Sequence, residues 1–192
     1  MRFAKGEVPI TWLCSGNEND EFYLNTLFDG AHCIRVHVSK IYFVDQLEHR
    51  ADYGRIDLVY SGSTYDDLVF KEQLFDVWPG EPDMHVHVLL YHEDARWDGE
   101  VAYTAPFLET LGLGPEDGRR VAVICGGPSL SRTCRESLLS AGFSEESILT
   151  TLEMRMKCGV GKCGRCNMGG HFICLDGPIF SLAEIATMHS DV

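Results

Sequence analysis

Half of the eight cysteines crowd into residues 158–174, a stretch that is also rich in glycine. Their spacing is C-x4-C-x2-C-x7-C, and its opening C-x4-C-x2-C is the interval of plant-type [2Fe–2S] ligation. Glycine tolerates positive φ, so such a stretch can wrap tightly and point backbone N–H groups at sulfur. Because the segment also loses helical or strand periodicity, it is expected to fold around a metal centre.

Four cysteines are the expected ligands of a [2Fe–2S] cluster: Cys158, Cys163, Cys166 and Cys174. A structural zinc site is the alternative, although zinc usually prefers two C-x2-C knuckles and only one is present. The surrounding residues 152–174 include one acidic residue, Glu153, and four basic ones: Arg155, Lys157, Lys162 and Arg165. This local positive charge favours an anionic cluster.

The rest of the chain differs strongly in charge from the cysteine segment. The 192 residues carry a net charge of −13, which argues against a nucleic-acid or anionic-membrane surface, since both require a basic footprint. The longest apolar runs have the length of strands, far short of a membrane span. The N-terminus has no hydrophobic signal core, so a cytoplasmic protein is expected.

Strand-like and helix-like runs alternate before the cysteine segment. Apolar runs predict strands over 56–60, 84–91, 121–125 and 148–152, and apolar periodicity predicts helices over 66–75, 104–111 and 129–141. The uninterrupted apolar run at 121–125 is typical of a parallel strand buried on both faces. The sequence therefore predicts an α/β fold with a parallel sheet covered by helices.

One turn of this predicted fold stands where parallel sheets commonly bind ligands. Cys125, Gly126, Gly127 and Pro128 end a strand and start a helix. Open α/β sheets bind ligands at the carboxyl ends of their strands. The turn is therefore a candidate ligand site, and an ordinary turn after a buried cysteine is the alternative.

From residue 52 to about residue 185 the sequence resembles the iron–sulfur electron-transfer subunits of the ferredoxin–NADP reductase superfamily. The stretches that carry the resemblance are YSGSTYDDLVF at 60–70, CGGP at 125–128, MRMKCGVGKCG at 154–164 and CLDGPIF at 174–180. Similar proteins include the electron-transfer subunits of dihydroorotate dehydrogenase and of anaerobic sulfite reductase, and the gamma subunit of sulfhydrogenases.

The resemblance implies a ferredoxin-reductase-like, NAD(P)-binding α/β domain over 51–152 and a small [2Fe–2S] domain over 153–192. Residues 1–50 are then an atypical segment, interpreted as the remnant of a flavin domain or as a partner interface. The implied cofactors are the [2Fe–2S] cluster, NAD(P) and an FAD that a partner could supply. The residues expected to bind nucleotide or flavin are Ser61, Gly62, Thr64, Cys125, Gly126 and Gly127.

Two departures from the family pattern limit what the resemblance implies. A flavin-binding barrel with an Arg-x-Tyr-Ser type motif is not found in the sequence, and the family's Gly-rich loop, counted back from residue 52, falls on the glycine-free residues 32–38. The position after Gly62, often an arginine that binds a 2′-phosphate, is Ser63, which favours NAD over NADP.

The expected function is an electron-transfer subunit that passes single electrons between NAD(P)H or flavin and a partner redox subunit of the hydrogenase, sulfite reductase or dehydrogenase type. A relay or assembly subunit without nucleotide binding is the first alternative. A zinc-stabilised interaction module is the second.

Overall fold

The computed structural model describes residues 10–15, 54–113, 120–152 and 156–190, with the backbone alone for 10–15, 189 and 190. The strands are β1 (Ile10–Ser15), β2 (Ile56–Gly62), β3 (Met84–Leu90), β4 (Glu100–Val101), β5 (Val121–Cys125), β6 (Ile148–Thr151), β7 (Asn167–Met168), β8 (His171–Phe172) and β9 (Ile179–Ser181). The α-helices are α1 (Thr104–Thr110), α2 (Pro128–Ser140), α3 (Ile173–Asp176) and α4 (Leu182–Ser190). No helix within these ranges is long and apolar enough to cross a membrane.

Among the described residues, seven strands form one sheet in the order β4-β3-β2-β1-β5-β6-β9. Every neighbouring pair is parallel except β6 and β9, which are antiparallel. A parallel sheet with an antiparallel edge strand is common in doubly wound α/β proteins. The predicted α/β architecture is therefore the one observed.

Strand β1 occupies the middle of this sheet. Ile10 lies opposite Ile56 of β2 on one side and opposite Val121 of β5 on the other. Six residues of the atypical segment 1–50 therefore form the strand between β2 and β5. The predicted strand over 10–13 is present, whereas the predicted strand over 33–38 and helix over 41–47 lie outside the described residues.

Apolar side chains cover both faces of the sheet because side chains alternate along each strand. Leu58 of β2 and Val123 of β5 pack on one face with Leu74 from the segment between β2 and β3. Val59 and Ile124 pack on the opposite face with residues of α1 and α2, including Leu108, Cys134 and Leu138. Helices α1 and α2 therefore cover the face of the sheet that contains Val59 and Ile124.

The chain after β2 differs from the predicted helix over 66–75. Asp67 Oδ2 accepts hydrogen bonds from the Thr64 amide and hydroxyl, 2.8 Å and 2.9 Å long, which closes a turn. Phe70 then takes a positive φ of 59°, which is incompatible with a continuous right-handed helix. Helical structure follows as a π-helix at Gln73–Val77 and a 3-10 turn at Trp78–Gly80.

The last part of the chain packs as a small unit against β6 and β9. Its core joins Cys166 and Ile173 to Phe180 and Met188, with Met168 and Phe172 packed around them. Strands β7 and β8 form a short hairpin, turned by Gly169 and Gly170. Gly169 has a φ of 56°, and a Cβ there would lie 2.2 Å from the Met188 carbonyl oxygen. The cysteine segment is thereby pressed against α4.

Candidate metal centre

The cysteine segment follows a path that side chains other than glycine rarely allow. Gly159 and Gly161 both have a φ of 68°, and Gly164 has a φ of 71°. L-residues pay roughly 1–2 kcal/mol for this left-handed conformation, and glycine does not. The three glycines turn the backbone repeatedly between Cys158 and Cys166, so that its amides face inward.

Three consecutive amides of this loop donate hydrogen bonds to cysteine sulfurs. The Lys162 and Cys163 amides lie 3.2 Å and 3.4 Å from Cys158 Sγ. The Gly161 amide lies 3.3 Å from Cys174 Sγ, which belongs to α3. Amide donors of this kind stabilise negative charge on sulfur, so the loop is built for thiolates rather than for neutral thiols.

The amides lower the pKa of the Cys158 thiol. Hydrogen bonds from the Val160, Cys163 and Lys162 amides bring this pKa from 9.0 to about 6. Burial raises the pKa of Cys174, as do its side-chain contact with Cys166 and the nearby Cys158, while the Gly161 amide opposes the rise. Negative charge on one sulfur therefore disfavours charge on its neighbours, a repulsion that a bound cation would relieve.

The four sulfurs influence one another in two pairs. The Cys163 side chain lowers the pKa of Cys158, and the Cys166 side chain raises the pKa of Cys174. Within the described residues, no group of three or more Cys, His, Asp or Glu side chains is arranged to hold a metal ion. Two pairs of thiolate donors match the two irons of a [2Fe–2S] cluster, each of which takes two cysteines, and this donor set fits such a cluster chemically.

The sulfurs differ in their access to solvent. Cys166 is only 2% exposed and belongs to the apolar core of the C-terminal unit. Cys158 and Cys174 are half-buried, and Cys163 is exposed. The segment thus has a buried end anchored in the protein and an open end at the surface.

The residues predicted to bind nucleotide lie at the carboxyl ends of neighbouring strands in the sheet. Ser61 and Gly62 end β2, Cys125 ends β5, and Gly127 precedes the first residue of α2. In the register of the sheet, Ser15 of β1 lies opposite Ser61 and Cys14 lies opposite Cys125. The predicted residues at the end of β2 and those at the end of β5 therefore lie on either side of the end of β1. They are about 10 Å apart at the usual strand spacing.

Counted back from residue 52, the family's Gly-rich loop falls on the glycine-free residues 32–38, which lie outside the described residues. The central strand that leads to the crevice between β2 and β5 is β1, and it ends at Ser15.

Ser61 is a buried support rather than an open ligand-binding group. It is fully buried, and its hydroxyl lies 2.7 Å from Tyr91 Oη and 3.0 Å from Thr104 Oγ1. Tyr91 Oη and Thr104 Oγ1 are themselves 3.2 Å apart. This closed triad, which sequence reasoning missed, ties the ends of β2 and β3 to the start of α1. The sequence signal that could have found it was three polar residues at element ends. Ser61 and Tyr91 stand at the ends of predicted strands, and Thr104 stands at the start of a predicted helix.

Arg96 joins the two loops beside this triad and was also missed. Its guanidinium donates to both carboxylate oxygens of Asp66, at 2.8 Å and 3.0 Å, and to both of Asp94. Hydrogen bonds from Arg96 lower the pKa of both carboxyls. Arg96 also lies over the ring of Tyr65, 5.1 Å from its centroid. The loop after β2 is thus fixed to the loop after β3.

Residues 153–186 match the family described as the iron–sulfur cluster binding domain of dihydroorotate dehydrogenase B. The C-terminal segment is therefore similar to this iron–sulfur cluster binding domain. The match covers all four paired cysteines, and it confirms the resemblance seen in the sequence.

Curated relatives extend this likeness into the α/β domain. The chain is 31% identical over 150 residues to sulfhydrogenase 1 subunit gamma of Pyrococcus furiosus, a match that covers 76% of this chain and 51% of that protein. It is 25% identical over 129 residues to a probable dihydroorotate dehydrogenase B electron transfer subunit of Thermoplasma volcanium, covering 67% and 45%. The chain spans about half the length of these relatives.

Solved structures confirm the ferredoxin-reductase-like fold. The structure titled as the NADH-dependent reduced ferredoxin-NADP oxidoreductase of flavin-based electron bifurcation matches 97% of this chain and 59% of its own, with a TM-score of 0.59 and 16% identity. The cytochrome b5 reductase domain of Ulva prolifera nitrate reductase matches 75% and 48%, with a TM-score of 0.55 and 18% identity. At these identities the likeness establishes the fold alone.

Proposed function

We propose that this chain is an electron-transfer subunit that passes single electrons through a [2Fe–2S] cluster. The proposed ligands are Cys158, Cys163, Cys166 and Cys174. The observation that carries the proposal is the set of three consecutive loop amides that donate to cysteine sulfurs. A [2Fe–2S] cluster held there would accept and release one electron at a time.

The protein's own part in this function is to hold and tune the thiolates. The amides of Gly161, Lys162 and Cys163 stabilise negative charge on sulfur before any metal arrives, so the loop is preorganised. Burial of Cys166 and the packing of Ile173 against Phe180 anchor the second pair of cysteines. Hydrogen bonds to cluster sulfurs and restricted solvent access are the usual means of setting a reduction potential.

The edge of the sheet supports a nucleotide site in the same proposal. The turns beside the end of β1 contain Gly62, Thr64, Gly126 and Gly127. At β1 the strand order reverses, because β2 and β3 lie on one side of it and β5 and β6 on the other. Ligands of open α/β sheets bind at such a point. In this proposal Ser61 positions the β2 turn through Tyr91 and Thr104, and Ser63 favours NAD over NADP.

The proposed partners are redox subunits of the kind named for the relatives, a hydrogenase or a dihydroorotate dehydrogenase. Flavin is needed between hydride and single-electron chemistry, because NADH delivers two electrons together. The proposal therefore places the chain in a complex in which a flavin group stands between the nucleotide and the four cysteines.

An anaerobic visible spectrum of the purified chain, with iron, sulfide, zinc and flavin measured on the same sample, tests the proposal. We expect about two irons and two sulfides per chain and an absorption band that bleaches with dithionite. A colourless protein with one zinc ion would contradict electron transfer and support the zinc-stabilised module.

Titration with NADH and FAD separates the full proposal from the relay alternative. Stoichiometric NADH binding, weakened when Gly127 is replaced by a bulkier valine, supports the nucleotide site at the sheet edge. A chain that holds the cluster but binds neither NADH nor FAD would be a relay or assembly subunit.

A further inference from the structure

The open end of the cysteine segment forms an exposed surface that the proposed function does not yet use. Its exposed side chains are Lys157, Val160, Lys162, Cys163, Arg165 and Leu175, which we call the cluster patch. Val160 is 56% exposed and Leu175 is 60% exposed, an unusual accessibility for large apolar side chains in so small a region. A Cβ placed on Gly161 would lie 2.4 Å from Leu175, so Leu175 sits against the loop itself.

The charge of the cluster patch is opposite to that of the whole chain. Residues 156–176 contain three basic residues and one acidic one, Asp176, whose carboxylate accepts a hydrogen bond from the Phe172 amide, whereas the chain has a net charge of −13. Within the part of the chain that the structure describes, Lys157, Lys162 and Arg165 form no ion pair. Their charges are therefore available to an external anion rather than neutralised internally.

We infer that the cluster patch docks the acidic surface of a one-electron carrier protein. The inference rests on the proposed function and names the chemistry of its partner. Exposed Val160 and Leu175 supply a small apolar contact. The three basic side chains around them attract an acidic partner electrostatically. A basic spot on an acidic protein also orients encounter, because the remaining surface repels an acidic partner.

The basic residues of the cluster patch also act on the bound cluster itself, and the experiment must distinguish this effect from docking. Cations near the thiolates also offset the negative charge of a bound cluster, which would matter without any partner. Charge compensation alone predicts a shift in reduction potential, whereas docking predicts that association depends on the charge of the partner and on ionic strength.

The test follows oxidation of the dithionite-reduced, cluster-loaded chain in a stopped-flow spectrometer. One electron leaves the protein and reduces hexacyanoferrate(III) to hexacyanoferrate(II), or hexaamminecobalt(III) to its cobalt(II) form. We expect the anionic oxidant to lose about tenfold in rate between roughly 0.01 M and 0.3 M salt. The cationic oxidant should gain rate or stay unchanged over the same range.

Charge reversal locates the effect on the molecule. The double variant Lys157→Glu/Arg165→Glu should slow the anionic oxidant on the order of tenfold at low salt. The matched control Arg132→Glu/Arg135→Glu makes the same charge change at two exposed positions of α2 and should change that rate less than about threefold. Equal effects of the two double variants would overturn the inference, because net charge alone would then explain the rates.

Binding supplies a readout that does not depend on electron transfer. An acidic ferredoxin, titrated into the cluster-loaded chain by calorimetry, should bind at low salt and lose at least about tenfold in affinity with Lys157→Glu/Arg165→Glu. Absence of binding, or binding that the charge reversal leaves unchanged, would overturn the docking surface. A sample without iron would overturn the proposed function as well, so the two failures are distinguishable.

Discussion

The Gly161 amide donates a 3.3 Å hydrogen bond to Cys174 Sγ, thirteen residues further along the chain. This contact joins the glycine-rich loop to helix α3, so both pairs of cysteines are held in one frame. The loop and the helix must therefore fold together before the four sulfurs reach their places.

Replacing any of the four paired cysteines by alanine should abolish cluster binding. Removing one thiolate leaves an iron with an incomplete donor set, and the cluster is then expected to be lost. Iron and sulfide content and the dithionite-bleachable absorbance measure this outcome. The control is Cys134→Ala, because Cys134 is buried in the core beneath α2, away from the paired thiols. Full iron content in Cys174→Ala would remove that residue from the ligand set.

Gly169→Ala should destabilise the C-terminal unit by at least about 2 kcal/mol. Its φ of 56° is unfavourable for alanine, and the new Cβ would lie 2.2 Å from the Met188 carbonyl oxygen. Urea unfolding measures the change in the free energy of unfolding. The neighbouring Gly170→Ala is the matched control, since a Cβ there meets nothing within 4 Å, and its change should stay within about 0.5 kcal/mol.

Thr104→Val should lower the free energy of unfolding by about 1–2 kcal/mol. The substitution keeps the shape of the side chain but leaves the buried Ser61 hydroxyl short of one partner. Thermal and urea unfolding provide the measurement, with exposed Thr110→Val as the control. If both variants were equally stable, the triad of Ser61, Tyr91 and Thr104 would not hold the end of β2.

The Asp57 carboxylate should make the free energy of unfolding depend on pH. Burial raises the pKa of its carboxyl, but His87 and the Arg55 guanidinium, 2.8 Å away, outweigh burial and lower it below 3.8. A lowered pKa in the folded state contributes stability that is fully present above the unfolded value and is lost as pH falls below about 4.

Asp57→Asn should therefore cost about 1 kcal/mol at neutral pH, discounted because Arg55 is half exposed, and progressively less as pH falls below about 4. Urea unfolding across this pH range measures the difference between the variant and the parent. Exposed Asp98→Asn serves as the control. A cost that persists undiminished in acid would show that the carboxylate charge is irrelevant.

Local sequence patterns were sufficient for most of the strands and one long helix. The run predicted over 121–125 coincides with β5, and the helix predicted over 129–141 differs from α2 by one residue at each end. Continuous apolar runs and a glycine stop encode these elements without reference to the rest of the chain. The candidate cysteines were likewise evident from spacing alone.

The order of the strands could not be obtained in this way. Residues 10–15 lie between β2 and β5 because of non-local pairing, which no local pattern records. The helix predicted over 66–75 failed for a similar reason: Asp67 closes a turn onto Thr64, and Phe70 takes a positive φ. The amide-to-sulfur contacts depend on the φ of individual glycines, so spacing alone could indicate a metal centre but not its hydrogen bonds.

The central position of β1 also sets the order of events during synthesis. Ile10 pairs with Ile56 and Val121, so this strand leaves the ribosome well before either neighbour. Strand β1 has neither of these neighbours until β2 has emerged, and its second edge stays unpaired until residue 125 follows. Contacts this distant in sequence form slowly, so among the described strands β1 waits longest for its full pairing.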